Sequence, residues 1–259
     1  MMKSNLRSQM WRLAAVLLWV CGAMACAGNN PKPSSPFGDV APPPNAQQAL
    51  ATMAPWLPED TMAVAIVDVP FMVNMYRTSG IIPKEWDDTA LRRDLGDFSK
   101  KRLGIDITKA RWAAFAFSAT PTSTGDEFAA LFFEGDFGEP ATLEERSFGS
   151  LKAYRVGEDD LGLIKTDKPN LVMYVFDRGP MEMVSALRDN AAQSLSQSPT
   201  QATMTRLLNA TGSNRVVVVG QIPPSLSGDM EMMMGIKLPQ AGAIAMGETT
   251  DVVIQGEPA

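Results

Sequence analysis

The chain has 259 residues, a formal net charge of −6, two cysteines, 17 methionines and no histidine. The missing histidine excludes Ser-His-Asp and Cys-His catalysis, His-ligated zinc, the two-His iron triad and His-ligated haem, and the acidic balance disfavours nucleic acid as a partner. Both cysteines, Cys21 and Cys26, lie near the start, so the remainder has neither a disulfide nor thiol chemistry.

In chain order, Lys3, Arg7 and Arg12 accompany the start of an apolar run from Trp11 to Ala25, with no acidic residue before it. The run is shorter than the ~20 residues a membrane helix requires, which makes residues 1–25 a cleaved export signal. Ala23-Met24-Ala25-Cys26 places small residues one and three positions before a cysteine. This resembles the lipobox of bacterial lipoproteins, with Ala23 where that family usually has Leu. The resemblance implies cleavage before Cys26, a diacylglycerol on its sulfur and a further acyl chain such as palmitate on the new amino terminus. Together these form a multiple-chain membrane anchor. Ala27 in place of Asp implies, on the same resemblance, the outer membrane, with the body in the periplasm or at the cell surface. The alternatives are an ordinary secretory signal cut near Ala25 and a retained anchor helix. Removing 25 of 259 residues leaves 234, and losing three cations leaves 20 Lys and Arg against 29 Asp and Glu, a charge of −9. A chain of that size can bury a core without disulfides.

Residues 26–48 read as the anchor and a tether, because Pro31, Pro33, Pro36 and Pro42 to Pro44 favour extended backbone. Ala46 to Ala51 is a short helical turn, and Met62 to Val69 (MAVAIVDV) is a strand apolar on both faces except at Asp68. Phe71 to Tyr76 continue as a short helix for which Asp68 is a candidate cap. Residues 88–103 predict the clearest helix, with Leu91, Leu95, Phe98 and Leu103 at helical spacing, Lys100, Lys101 and Arg102 in the last turn and Gly104 as its stop. Strands are expected at Arg111 to Ala119, Glu127 to Gly135, Leu151 to Val156, Leu161 to Thr166 and Leu171 to Phe176. Their short connections predict one antiparallel meander. Gly179-Pro180 and Ser198-Pro199 open two helices, and Arg215 to Gly220, Ala241 to Gly247 and Asp251 to Gln255 are further strands.

The order strand, two helices, strands occurs twice. It predicts an α+β fold of antiparallel sheets with helices packed on one face, in two similar halves at 49–145 and 146–259. The order of elements, and phrases such as LPEDTMAVAIVDV, resemble exported proteins of myxobacteria and planctomycetes over residues 55–255, a likeness that lends no chemistry.

No constellation in the sequence requires an enzyme. Asp136-Phe137-Gly138 has the letters of a kinase magnesium motif without that family's other parts, and reads as a strand end and turn. Met230, Met232, Met233 and Met234 are soft donors that could hold Cu(I), although adjacent residues of one segment cannot all face a single ion. The acidic clusters Asp87-Asp88, Glu134 to Glu139 and Glu158 to Asp160 lack the calcium-loop pattern and read as caps and turns. Asn209-Ala210-Thr211 is a formal glycosylation sequon. The expectation is therefore a non-enzymatic envelope lipoprotein with an interaction or structural role. It has Cys26 as lipidation site, no catalytic residue, no metal and no cofactor, and its partners are the membrane and an unidentified protein or hydrophobic ligand. The alternative is a carrier of a lipid or other hydrophobic molecule, and a hydrolase working with two carboxylates is a third option.

Overall fold

A computed structural model of the protein describes residues 45–78, 87–121, 127–138, 143–149, 151–156, 161–176, 178–211, 215–221, 241–246 and 252–257. The described residues open at Asn45, whose side chain accepts from the Gln48 N–H while Gln48 reaches back to the Asn45 N–H. This reciprocal cap satisfies two donors at the start of helix α1 (Ala46–Met53). A 3₁₀ turn at Ala54–Trp56 then leads into β1 (Thr61–Asp68).

Among the described residues, ten strands form one antiparallel sheet in the order β10-β9-β8-β1-β2-β3-β7-β6-β5-β4. After β1 come helices α2 (Val69–Thr78) and α3 (Asp88–Leu103), then β2 (Ala110–Pro121), β3 (Glu127–Gly135), β4 (Glu144–Phe148), β5 (Leu151–Val156), β6 (Leu161–Lys165) and β7 (Leu171–Phe176). Helices α4 (Arg178–Asp189) and α5 (Pro199–Thr211) precede β8 (Val216–Gln221), β9 (Ala241–Met246) and β10 (Val252–Glu257). The α+β class and the antiparallel pairing are as the sequence predicts.

The meander needs correcting at one joint. β2 and β3 pair, and β4 to β7 run in succession, but β3 takes β7 as its neighbour and β4 goes to the far edge. Burial explains the choice. β7 (LVMYVF) puts Leu171, Met173 and Val175 on one face and Val172 and Tyr174 on the other, all buried, so it needs neighbours on both sides. β4 (EERSF) exposes Glu144, Glu145 and Ser147 and suits an edge, where charges discourage further pairing.

The repeated order of elements does not produce repeated placement. β1 and β2 are neighbours, whereas β7 and β8 are separated by β1, β2 and β3. Strands from both halves of the chain thus interleave in the one sheet.

The main core lies on the face carrying Val64, Ile66, Trp112, Ala114, Ala116, Phe128, Phe132, Met173, Val217 and Val219, under α1, α4 and α5. Helices α2 and α3 lie against the other face. There Met72 packs on Val216, Val73 on Leu91, and Ile105 joins Leu163, Val172 and Tyr174 just beyond α3. Alternation along each strand therefore buries both faces. Gly104 takes φ 73 and ends α3, as its position predicts. The Tyr174 hydroxyl donates to the free Leu103 carbonyl at 2.6 Å, fastening that helix end to the sheet. Burial raises the Tyr174 pKa, keeping the phenol a proton donor.

Candidate functional site

The sequence-designated carboxylates fall into structural positions. The N–H of Phe71 donates to Asp68 Oδ1 at 3.0 Å, so Asp68 caps α2, and Arg215 binds its other oxygen at 2.9 Å, tying the end of β1 to the chain entering β8. Asp87 caps α3 by accepting from the Ala90 N–H at 2.7 Å, and Asp88 pairs with Arg77 of α2. Glu134 accepts from the indole N–H of Trp112 and from the Arg111 guanidinium. Burial raises the Asp106 carboxyl, but hydrogen bonds from the Thr108 hydroxyl and N–H, with Lys100 at 3.4 Å, outweigh it and hold the pKa below the usual carboxylate value. Asp136 to Gly138 form an exit from β3 in which Phe137 packs on the second core and Gly138 has φ 66.

Among the described residues no three His, Cys, Asp or Glu side chains converge as a metal site, and no helix is long and apolar enough to cross a membrane. Cys26, the Met230 to Met234 stretch and Glu158 to Asp160 lie outside the described residues. Asn209 accepts a hydrogen bond from the Gln47 side chain, linking α5 to α1.

Two apolar features remain. On the second face of the sheet, Ala63, Phe115, Phe117, Leu131 and Val218 are half-buried and adjacent across β8, β1, β2 and β3. The Phe115 and Phe117 rings, on β2 between β1 and β3, stand 6.2 Å apart. The strip is uncharged, so it offers contact area without hydrogen-bonding direction. The signal for it is the alternation Ala114-Phe115-Ala116-Phe117, which puts small residues under the helices and both rings on the opposite face.

The other feature corrects the reading of α3. Phe98 is not part of the helix's buried stripe but 62% exposed, the large apolar side chain most open to solvent among the described residues. The buried line runs instead through Leu91, Gly96 and Ser99, because the C-terminal half of α3 packs on the turn at Asp106 and Ile107, whose N–H donates to Ser99 Oγ at 3.1 Å. Phe98 is left pointing away.

No family model matches the chain, and no curated protein matches it. Among solved structures, crystal form III of TP0453 aligns with a TM-score of 0.42 and 11% identity, covering 74% of this chain and 72% of that one. A likeness at that level carries nothing across about what either protein does.

Proposed function

We propose that this chain is an envelope-anchored lipoprotein with a non-enzymatic interaction or structural role. The observation that carries the reading is the amino-terminal pattern of three cations, an apolar run and Ala23-Met24-Ala25-Cys26. Folding supports it, since the first helix among the described residues begins at Ala46, just after the Pro-rich segment, and a two-faced core holds the body together without a disulfide. The most enclosed carboxylates support the absence of an enzymatic role, because Asp68, Asp106 and Glu134 each serve a cap, a turn or an indole.

The apolar strip around Phe115 and Phe117 favours a second reading, a carrier whose hydrophobic ligand lies along that face. Mass spectrometry of protein extracted from membranes separates the two. The expected result is a chain beginning at a diacylglycerol-modified Cys26, whose native mass contains no further lipid. Non-covalent lipid that stays with the folded body would favour the carrier. An unmodified Cys26 would remove the anchor from both.

A further inference from the structure

We propose that the face of α3 carrying Phe98, Lys101 and Arg102 docks on an anionic phospholipid surface. The proposal rests on anchorage at Cys26, which keeps a bilayer within reach, and it adds a second, non-covalent contact. Residues three and four positions apart share a helix face, so Lys101 and Arg102 flank the exposed Phe98 ring. Lys100 is engaged with Asp106 at 3.4 Å, but Lys101 and Arg102 have no ion-pair or hydrogen-bond partner among the described residues. Asp94, on the same side, is bound by Arg93 at 2.8 Å, and Asp97, four residues before Lys101, is an exposed carboxylate on the flank of this face, roughly 100° around the helix from Phe98. An aromatic ring between two long cations on a chain whose mature charge is −9 fits an interface with anionic headgroups. The ring enters the acyl boundary while the cations extend to phosphate.

Reach permits the contact. The nineteen residues 26–44 span at most about 60 Å, and a body of this length is about 45 Å across. An anchor at one end of the tether therefore allows α3 to turn toward the membrane, although α1 starts on the opposite side of the sheet.

The test is flotation of the full mature chain carrying Cys26→Ser, so that no acyl group contributes, on phosphatidylglycerol-rich and on purely zwitterionic phosphatidylcholine vesicles. Binding is expected on the first and not the second. K101A/R102A should weaken it about thirtyfold, since each cation near such a surface contributes about fivefold, and Phe98→Ser about tenfold. Arg206→Ala, on α5 across the sheet, serves as the control and should bind like the parent. All four proteins should share one thermal midpoint, since the altered side chains are exposed. Equal flotation of all variants, no flotation of the parent, or indifference to phosphatidylglycerol would overturn the proposal. None of these outcomes depends on whether Cys26 is acylated in cells, so docking and anchor stand or fall separately.

Discussion

Glu134→Ala is expected to lower the stability of the protein by about 3 kcal/mol, and Glu134→Gln by about half as much. Glu134 faces Trp112 across the β2–β3 ladder, and the indole, 1% exposed, donates its N–H to the carboxylate. Arg111 is the extra residue where the β2 register shifts between Ala110 and Trp112, and its guanidinium reaches the second carboxylate oxygen. The ion pair is mostly enclosed, with side-chain exposures of 28% for Arg111 and 15% for Glu134, so it is not a freely solvated pair. Alanine would leave a buried indole donor and a half-buried cation without their acceptor. Glutamine keeps an oxygen for the indole and loses only the charge. Urea unfolding at constant slope measures both differences. Equal losses in the two variants would mean that the ion pair matters and the indole bond does not. A loss under about 1 kcal/mol for alanine would mean that neither holds the ladder.

Alanine at Gly135 or Gly220 is expected to destabilise by about 2 to 3 kcal/mol, although both lie in strands where a side chain is ordinarily welcome. A β-carbon at Gly135 would collide with the Lys109 carbonyl and the Ala110 Cα, and one at Gly220 with the Met62 carbonyl and Ala63. The cause is common to both. Gly135 pairs beside the register shift in β2, and Gly220 beside the shift between Thr61 and Ala63 in β1. At a bulge the partner backbone is displaced toward the glycine, and backbone cannot turn aside as a side-chain end can. Gly162 is the contrast, because its β-carbon would meet only the tip of the Met181 side chain, which can rotate away. Gly162→Ala should therefore lose less than about 1 kcal/mol. If thermal unfolding puts all three alanine variants at the same midpoint, close backbone approach is not what selects glycine at the bulges.

These same features show where a sequence is readable. The central strands announced themselves, because MAVAIVDV, RVVVVG and LVMYVF are apolar on both faces and have no stable place except between neighbours. Helix α3 was legible to the residue, since Gly104 can take the left-handed backbone that ends it. β4 was not, because an edge strand of charged residues carries no hydrophobic alternation. The β3–β7 pairing was hidden for another reason. It follows from how much burial each whole strand requires, and short connections suggest the wrong partner. The role of Asp68 was visible as a carboxylate just ahead of a helix, whereas the bond from Trp112 to Glu134 depends on a register set by a bulge. Phe98 misled because helical spacing records which residues share a side, and not whether a neighbour is present on it.

Lipidation of Cys26 is read directly by metabolic labelling. Cells producing the full chain, or its Cys26→Ala variant, are fed an alkyne-bearing fatty acid, and the immunoprecipitated protein is read for label. Strong labelling of the wild-type chain and none of the variant are expected, with the variant retaining an uncleaved signal. Equal labelling of the two, or an unlabelled wild-type chain bearing a free Cys26 thiol, would contradict it.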